Sequence, residues 1–419
     1  MQRSKKTVAM SRVTLQSSDG ATSLHSESSS PRGGSSEHLR DPGNHDDDHF
    51  KRAMSPLRFR MRKYLTRYTD AQSVPLSQWQ HAHATPLRDW YFLYTALLGS
   101  HTFYVLFLPM PVWFGYFEAT RDLVYLLGYS IYLSGFLKDL WCLPRPRSPP
   151  VERVSLSQYT TEEYGAPSSH SANATAVTLY FCVHLVYSNT LGFSLGVRAT
   201  LVCIALFYYA TLVVGRLYCG MHGPLDVVTG CLCGTATYAV RTLLKHGAAE
   251  FHIGVHWWFP LASVACGLSL LFAHVRPVDE CPCFGDSVAF IGVAAGYECG
   301  DWFLQRYVPG GTTMCGTLSQ DGLRVLLRPL VAVPLVLLWK EVLSKPLVYG
   351  CLVPLVPGLR DDRAERSAQR EQHRAGHSGE CMPHVGEAPV DIVGRFVVYM
   401  GVPITVTVVC PFAFRALGL

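Results

Sequence analysis

The sequence predicts an all-α protein, built as a polytopic bundle of about eight to ten membrane-spanning helices. Hydrophobic residues make up 49% of the chain and charged residues only 16%, below the roughly 25% that is usual in soluble domains. The apolar residues come in separate blocks, and about 20 mainly apolar residues suffice to span a bilayer. Helices satisfy their own backbone groups in lipid, so blocks of this length favour a helical membrane protein over a soluble all-helical one.

Nine apolar blocks are long enough to be predicted spans, at residues 91–117, 121–140, 169–188, 197–215, 224–244, 254–275, 287–305, 323–343 and 391–411. The apolar stretch 346–358 is shorter and rich in proline and glycine, which is typical of a re-entrant segment or half of a bent helix. The lipid bilayer is therefore an expected partner. The net charge of +5 is mild and does not indicate a nucleic-acid partner.

Hydrophilic segments divide the chain. Residues 1–68 are predicted to be a disordered, basic, cytosolic tail, because 1–50 cannot bury enough apolar surface to fold alone and 51–68 is a basic segment before the first span. The predicted order after the tail is a core that carries the polar clusters at 89–245, further spans at 246–358, a hydrophilic loop at 359–390 and a last span at 391–411.

The fourteen cysteines do not indicate an organised site. Several lie in apolar runs, where cysteine behaves as a small hydrophobic residue. Cys281 and Cys283 form a CPC sequence in a loop, but a pair without partner ligands is weak evidence for a metal or a disulfide. We therefore predict neither a metal nor a cofactor.

A first polar cluster, KDLWCLPRPRSPP, ends the second predicted span at Lys138 to Pro150. Lys138 and Arg145 lie seven residues apart, and prolines on both sides stiffen the chain at the arginine. A lysine offers a point charge and an arginine a bidentate fork, so together they suit a phosphate. By itself the cluster fits a positively charged loop at the membrane edge equally well.

A second cluster, EYGAPSSHSANAT, opens the third predicted span. Proline is tolerated in the first turn of a helix. Ser168 and Ser169 place hydroxyl and free backbone N–H groups at the helix N-terminus, which binds anions. His170 adds a titratable group beside them. The alternative is a serine cap with an interfacial histidine.

A third cluster, GRLYCGMHGPLD, connects the fourth and fifth predicted spans. Arg216 adds a third cation. His222 and Asp226 are four residues apart and can meet across a helix start. A carboxylate bonded to one imidazole nitrogen fixes the tautomer and makes the other nitrogen more basic, as in nucleophilic catalysis. An ordinary His–Asp hydrogen bond at a membrane edge is the alternative.

The order of the spans brings the three clusters to one face of the membrane. The first cluster ends span two and the second begins span three. Span three crosses the membrane and span four returns, so the third cluster comes back to the same face. Charged groups gathered in this way in a membrane protein indicate a functional site.

The three clusters resemble the signature of the type 2 phosphatidic acid phosphatase superfamily, whose soluble relatives include vanadium haloperoxidases. The signature is lysine, six residues, arginine-proline; then proline-serine-x-histidine; then arginine, five residues, histidine, three residues, aspartate. Here it begins at Lys138, Pro167 and Arg216, with every spacing kept. Residues 95–230 are also similar to the sphingosine-1-phosphate phosphatase branch, above all to fungal long-chain base-1-phosphate phosphatases of the endoplasmic reticulum.

The resemblance implies a haloperoxidase-like core and a role for each residue of the signature. His222 would take the phosphoryl group as nucleophile, and Asp226 would orient it. His170 would protonate the leaving alkoxide and then activate the water that hydrolyses the phosphohistidine. The phosphate would be held by Lys138, Arg145, Arg216, Ser168 and the backbone N–H of Ser169. Three cations can stabilise phosphoryl transfer without a metal.

One position departs from the family pattern. The family often has serine before the third-cluster arginine, where this chain has Gly215. The departure removes a hydroxyl that would reach the phosphate, which either lowers the affinity or is compensated by a water. Every charged member of the signature is present, so activity is still expected.

The sequence therefore predicts an integral membrane phosphatase that converts sphingosine, dihydrosphingosine or phytosphingosine 1-phosphate to the free base and phosphate. A broad-specificity lipid phosphate phosphatase or a phosphotransferase is a related alternative, because selectivity for the lipid depends on pocket shape. A non-catalytic lipid transporter or scaffold is the alternative from another class. The intact His170, His222 and Asp226 argue against it. The sequence does not determine the oligomeric state.

Two indications disagree on which side of the membrane the site lies. The basic segment 51–68 predicts a cytosolic N-terminus, and two spans before the first cluster would then give a cytosolic site. The resemblance implies a lumenal site in the endoplasmic reticulum. Residues 89–117, interrupted near Gly99, form either an interfacial helix plus a span or two short crossings, and two crossings would reconcile the indications. Basic residues on the opposite face also favour the lumenal site that we predict: Arg121, Arg198, Arg241 and Lys245.

Overall fold

The chain folds into α-helices joined by loops, which confirms the predicted all-α class. A computed structural model describes residues 41–156, 162–187, 192–250, 256–356, 359, 361–376 and 381–419. Within these ranges the only β-pairing is a single bridge between Asp279 and Pro383.

The helices of the described residues follow in chain order. The first half contains α1 (Asp47–Ala53), α2 (Pro56–His83), α3 (Pro86–Thr95), α4 (His101–Phe107), α5 (Met110–Trp113), α6 (Phe117–Trp141), α7 (Ser169–Tyr187), α8 (Leu195–Tyr218) and α9 (Pro224–Glu250). The second half contains α10 (Phe259–Phe272), α11 (Cys283–Tyr307), α12 (Leu318–Asp321), α13 (Arg328–Leu337), α14 (Ser344–Leu355), α15 (Arg363–Gly376), α16 (Pro389–Ile404) and α17 (Cys410–Leu417).

Several helices are suited to crossing a membrane, so the chain is a multi-pass membrane protein, as predicted. Among the described residues, four stretches are long and apolar enough: Leu195–Tyr218, Pro224–Gly247, Gly322–Leu355 and Pro389–Leu417. A fifth is the pair Pro86–Gly99 and Phe103–Trp113, which is bent by 56°. Helices α6 and α11 have 25 residues each, which gives a length of about 37 Å. Both helices lie inside the bundle and carry buried polar side chains, which makes them less apolar than the other candidates. The count of eight to ten spans stays a prediction.

Helix α6 lies at the centre of the bundle. Helices α7 and α9 pack on it, and α8 packs in turn on α7. Helix α11 also packs on α6 and is covered by α16 and α10. The largest apolar cluster joins the beginning of α6 to the end of α11, where Trp113, Val124, Tyr297 and Leu304 are buried. The polar clusters of the sequence lie at the other end of α6.

Two glycines let α9 approach α7 closely. Gly230 and Gly234 are four residues apart and so lie on one face of the helix. A β-carbon at Gly234 would be 2.2 Å from the carbonyl oxygen of Ala172, and one at Gly230 would be 2.5 Å from that of Ser168. Small residues at this spacing are typical of closely packed membrane helices. The contact brings the beginning of α7 against the beginning of α9.

We expect Gly234→Ala to lower the midpoint of thermal unfolding in detergent, measured by tryptophan fluorescence. Overpacking a tight contact costs about 1–3 kcal/mol, and here the obstacle is backbone. The matched control is Gly247→Ala near the end of the same helix, where a β-carbon would meet nothing within 4 Å. The control should be neutral or slightly stabilising, because alanine is the better helix former. Equal midpoints for the two variants would contradict this account of the α7–α9 contact.

Helices α1 and α2 show that the prediction of a disordered tail over 1–68 is wrong for the helical residues 47–53 and 56–68. Residues 1–40 lie outside the described residues. The basic side chains of α2 predicted a solvated tail, but some of them form hydrogen bonds with the rest of the protein. Arg58 donates to the carbonyl oxygen of Leu140 at 2.8 Å, and the buried Arg62 donates to that of Cys142 at 3.3 Å.

The rest of α2 covers the loops between the spans. The side-chain amide of Gln80 donates to the carbonyl oxygens of Glu152 and Tyr218, at 2.9 Å each. The amide oxygen of Gln72 accepts from the backbone N–H of Leu225 at 3.1 Å. Helix α2 thus joins the first and third polar clusters, and it lies on their face of the bundle.

The bent pair α3–α5 connects the two faces of the bundle. At its beginning, the backbone N–H of Thr85 donates to the hydroxyl of Tyr218 at 3.3 Å, on the face of the polar clusters. At its end, Trp113 packs with Phe117 at the beginning of α6, on the opposite face. These contacts support one crossing before α6, not the two short crossings that would have reconciled the topology. Helices α1 and α2 therefore share a face with the polar clusters.

The predicted hydrophilic loop 359–390 contains structure of its own, which corrects that expectation. It includes helix α15. The segment after it pairs with the segment before α11: the N–H of Glu280 donates to the carbonyl oxygen of Met382 at 2.7 Å, and that of His384 to Val278 at 2.9 Å. Some of its charged residues are bound within the protein: Arg366 donates to the carbonyl oxygen of Val385 at 3.2 Å, and Arg370 pairs with Glu280 at 3.3 Å.

Candidate active site

The three polar clusters meet at His222. The cations Arg145, Lys138 and Arg216 and the ring of His170 all act electrostatically on its imidazole. His222 is itself only 3% exposed. The structure therefore brings together residues from the end of α6, the beginning of α7 and the α8–α9 connection, as the order of the spans predicted.

His222 and Asp226 face each other across the beginning of α9. Nδ1 of His222 is 3.4 Å from Oδ2 of Asp226, a contact that is too long or misaligned to count as a hydrogen bond. The same carboxylate oxygen accepts from the backbone N–H of Gly223 at 2.8 Å, which fixes the carboxylate. We infer from this network that the Nδ1 proton points to Asp226 and the lone pair lies on Nε2.

Arg145 lies against the other nitrogen of the imidazole. Its Nη1 is 3.3 Å from Nε2 of His222 and also donates to the carbonyl oxygen of Met221. Its Nε donates to the carbonyl oxygen of Glu163 at 2.8 Å. The guanidinium is thus held in one orientation by two carbonyl groups, beside the nitrogen that would attack a phosphorus atom.

A carboxylate that the sequence analysis did not select lies among the cations. Nζ of Lys138 forms an ion pair with Oε2 of Glu163, and Nη2 of Arg145 is 3.7 Å from the same oxygen. Glu163 was overlooked because a carboxylate is not expected in an anion-binding pocket. Its position four residues before Pro167, in the same cluster, was the available signal.

The beginning of α7 forms another wall of the site. The backbone N–H of Ser168 donates to the carbonyl oxygen of Asp226 at 2.8 Å. The hydroxyl of Ser169 is 3.2 Å from that of Ser134 on α6. His170 is half-buried, and a β-carbon at Gly99 would lie 2.6 Å from its ring. The turn at Gly99, where the first span bends, therefore packs directly on the imidazole.

Gly215 lies where a side chain would meet a neighbouring helix. A β-carbon there would lie 3.1 Å from Cδ1 of Phe92, and Phe92 packs against Tyr218 with ring centroids 4.6 Å apart. The position thus faces an aromatic ring of α3. A serine at 215 would require the ring of Phe92 to shift by a few tenths of an ångström, so glycine suits the close packing of α3 on α8.

The site keeps His222 neutral. Burial, and then the charges of Arg145 and Lys138, lower the pKa of His222 well below its usual value of 6.5. Burial also lowers the pKa of Arg145, to about 10, at which the guanidinium is still charged at neutral pH. A neutral imidazole beside cations is the state that a nucleophilic histidine requires.

We expect the acid limb of kcat/KM that belongs to His222 to lie below pH 6.5. Because the pKa of His222 is lowered, the ring stays neutral at pH values where an ordinary histidine is protonated, and activity is lost only on further acidification. The substrate's own second phosphate ionisation occurs near pH 6. It is titrated separately by phosphorus NMR, and its contribution is removed from the pH profile of kcat/KM. An enzyme limb at or above pH 6.5 would contradict this description of the site.

A largely apolar cavity of about 1400 Å³ lies within the bundle and extends to the end opposite the site, where Asp122 and Lys245 line it. It lies between α4, α6, α7 and α8, and its lining includes Leu127, Val177 and Ile204. Tyr104 also lines it, and the electrostatic neighbours of the Tyr104 hydroxyl include Arg216. The cavity thus offers apolar space within the bundle, and Tyr104 relates one part of it to Arg216.

Comparison with known proteins identifies a family and several relatives of this chain. The PAP2 superfamily matches residues 119–250. A dihydrosphingosine 1-phosphate phosphatase of Saccharomyces cerevisiae is 53% identical over 376 residues, which cover 90% of this chain and 91% of that protein. One of Schizosaccharomyces pombe is 32% identical over 85% of this chain and 91% of its own length. Human sphingosine-1-phosphate phosphatase 2 is 31% identical over 50% and 51% of the two chains. No solved structure matches the chain.

Proposed function

The chain belongs to the PAP2 superfamily, among the dihydrosphingosine 1-phosphate phosphatases, and on this basis we propose that it hydrolyses phosphorylated sphingoid bases to the free base and phosphate. The observation that carries the proposal is the setting of His222. One ring nitrogen faces a buried carboxylate at 3.4 Å, and the other faces a buried guanidinium at 3.3 Å. That is the setting of a nucleophile next to a phosphate-binding group.

We propose the following reaction. Nε2 of His222 attacks phosphorus, the P–O bond to the lipid breaks, and His170 donates a proton to the leaving alkoxide. His170 then takes a proton from the water that attacks the phosphohistidine, which releases phosphate and restores His222. Asp226 stabilises the positive charge on the imidazole during both steps. Lys138, Arg145 and Arg216 hold the phosphate oxygens, where positioned charge accounts for most of the catalysis.

Glu163 supports a sphingoid substrate over other lipid phosphates. A sphingoid base 1-phosphate carries an ammonium group on the carbon next to the one that bears the phosphate, whereas phosphatidic acid has none. Without substrate, the Glu163 carboxylate pairs with Lys138 and lies 3.7 Å from Arg145. Once a phosphate takes these cations, the carboxylate lies next to the position of the ammonium group. We propose that Glu163 binds it.

We expect Glu163→Gln to lower kcat/KM for dihydrosphingosine 1-phosphate about tenfold or more, with a smaller effect on phosphatidic acid. Hydrogen bonds to charged groups contribute about 1.5–3 kcal/mol, and only the first substrate offers the ammonium group. Glu152→Gln, in the loop that follows Arg145, is the matched control and should change neither value. An equal loss of kcat/KM on both substrates would mean that Glu163 does not bind the ammonium group.

The proposed activity is tested by phosphate release from dihydrosphingosine 1-phosphate and from phosphatidic acid, with purified protein in detergent and EDTA in the assay. Preferential release from the first substrate supports the proposal. Equal rates on both would replace it with a broad-specificity lipid phosphatase. No release from either would favour a non-catalytic transporter or scaffold.

We propose that the site faces the lumen of the endoplasmic reticulum. Support comes from the resemblance and from two basic residues at the other end of the bundle, Arg241 and Lys245, which both pair with Asp122 at 2.7 Å. Because α2 packs on the site face, this location requires α1 and α2 to be lumenal too. Glycosylation acceptor sequences added at the N-terminus and in the loop after Pro150 should both be modified. If neither is modified in an active enzyme, the site is cytosolic.

A further inference from the structure

A second cavity, of about 980 Å³, lies at the face of the bundle that carries the catalytic site. It is bordered by α14, by α16 and by the beginning of α11, and we call it the polar cavity. Charged side chains of both signs line it: the carboxylates Glu162, Glu280, Glu341, Glu387 and Asp391, and the cations Lys340, Lys345, Arg370 and Arg395. The proposed reaction uses none of these side chains.

The polar cavity reaches into the part of the bundle that crosses the membrane. Helix α14 ends the apolar stretch Gly322–Leu355 and α16 begins the stretch Pro389–Leu417, and both stretches are long enough to span a bilayer. Tyr399 lines the cavity and lies ten residues after the beginning of α16, which is about 15 Å along the helix. The hydrocarbon core of a bilayer is about 30 Å thick, so the cavity leads about half-way through the membrane.

The two spans contribute five charged side chains to the polar cavity: Lys340, Glu341, Lys345, Asp391 and Arg395. Charged residues within membrane spans are unfavourable, and they mark pathways for substrates or ions. The backbone supports this interpretation, because α13 is joined to α14 by a π-helical turn at Leu338–Leu343, which carries two of the five. Turns of this kind are frequent at functional sites.

Some of the charges in the polar cavity are satisfied within the protein. Arg370 lies 3.3 Å from Glu280 and 3.5 Å from Glu387. Lys340 lies 3.3 Å from Glu341. These five side chains therefore do not require a ligand.

Four charged side chains of the polar cavity form no ion pair with another described residue: Lys345, Arg395, Glu162 and Asp391. Asp391 accepts a hydrogen bond from the hydroxyl of Tyr349. Arg395 extends towards the first turn of α11, where a β-carbon at Gly285 would lie 2.7 Å from its Nη1. The cavity thus offers two cations and two carboxylates that a ligand can pair with.

We propose that the polar cavity binds the headgroup of a phosphorylated sphingoid base before this lipid enters the catalytic site. The phosphate would pair with Lys345 and Arg395, a point charge and a bidentate fork. The ammonium group would pair with Asp391 or Glu162. A headgroup without an ammonium group would leave both carboxylates facing an anion. Because Lys345 and Arg395 are exposed, the cavity opens at the surface of the bundle, and the hydrocarbon chain can stay in the bilayer.

The polar cavity and the catalytic site share one wall. Glu162 lines the cavity, and the next residue, Glu163, pairs with Lys138 in the site. Cys281 belongs to the same wall, and a disulfide joins it to Cys283 at the beginning of α11. A headgroup that leaves the cavity past Glu162 therefore meets the carboxylate that we propose binds its ammonium group. The inference rests on the proposed function for the identity of the lipid.

The test is photolabelling of the full-length protein in an uncharged detergent, with a dihydrosphingosine 1-phosphate analogue that carries a photoreactive group near its headgroup, followed by peptide mapping. The protein carries His222→Ala, so the probe is not consumed. We expect label on α14 and α16 as well as at the catalytic site. Adding Lys345→Gln and Arg395→Gln should lower the label on α14 and α16 about tenfold or more, the scale of hydrogen bonds to charged groups, and leave the label at the catalytic site.

Arg415→Gln is the matched control for the loss of charge. Arg415 is an exposed cation on α17, at the other end of the bundle, and its replacement should leave both labels unchanged. Thermal unfolding of the variants checks that each one is folded. Absence of label from α14 and α16 in the protein that keeps Lys345 and Arg395 overturns the proposal, and that result does not depend on how the other variants fold.

Competition with unlabelled lipids identifies the ligand. Dihydrosphingosine 1-phosphate should displace the label on α14 and α16 about tenfold better than phosphatidic acid, which lacks the ammonium group, or free dihydrosphingosine, which lacks the phosphate. Phosphatidylethanolamine carries both groups, and if it competes equally well, the cavity binds phospholipid headgroups and the proposal is wrong. None of these measurements needs turnover. Failure of the proposed function would appear separately, as absence of phosphate release by the wild type.

Discussion

His222→Ala is expected to abolish phosphate release, with a loss in kcat of about 10⁴-fold or more, the scale seen when the nucleophile of a catalytic triad is removed. Alanine removes the nitrogen that would form the covalent intermediate. The cations and the apolar cavity remain, so the variant should still bind lipid phosphate. The measurement is phosphate release from dihydrosphingosine 1-phosphate in detergent.

The matched control for this variant is His246→Ala. His222 lies just before α9, and His246 lies near the other end of that helix, where it is exposed. It should keep wild-type activity. Thermal unfolding of both variants separates loss of the nucleophile from loss of the fold. A folded His222→Ala protein with more than about a hundredth of wild-type activity would show that His222 does not carry the phosphoryl group.

Arg145→Gln is expected to lower kcat/KM about 10³-fold, and Arg145→Lys about 10²-fold. Removing one fixed donor to a developing negative charge costs about 10²–10³ in rate. Glutamine loses the charge as well, whereas lysine keeps the charge but loses the bidentate fork. The carbonyl groups of Glu163 and Met221 that now accept from Arg145 would also lose a donor.

Arg147→Gln is the control for charge removal in the same loop. Arg147 pairs with Asp70 at 2.9 Å, and both side chains are largely exposed. Exposed ion pairs contribute little to stability, so this variant should behave like the wild type. If Arg147→Gln and Arg145→Gln lose activity equally, the loop acts through its overall charge and not through the Arg145–His222 contact.

The sequence was sufficient for the class of fold and for the residues that gather at the site. Apolar blocks of bilayer length can hardly form anything but helices, and the order of the blocks determines which loops share a face. For that reason Lys138, Arg145, Arg216 and His222 were expected to meet, although the sequence could not give their distances. It was also clear that Gly215 lacks a hydroxyl, but the contact of this position with the ring of Phe92 depends on the packing of α3.

Contacts between segments that are distant along the chain could not be predicted from the sequence. Basic and serine-rich residues before the first span are typical of a disordered tail, and nothing local shows that Arg62 and Gln80 bind carbonyl groups of the catalytic loops. The same holds for Glu162 and Arg395, which are more than 230 residues apart (162 against 395) and line one cavity only through the packing of α11 and α16. Glu163 was not selected, because its contacts with Lys138 and Arg145 appear only in the folded structure.

The most direct test of the central claim is to trap the intermediate. Enzyme is mixed with dihydrosphingosine 1-phosphate labelled in the phosphate, quenched in base within a turnover, digested and mapped. We predict label on the peptide that contains His222, stable in base and released by acid, and none in His222→Ala. Label on another residue, or phosphate release by an enzyme that is never labelled at His222, would contradict the claim that this histidine accepts the phosphoryl group.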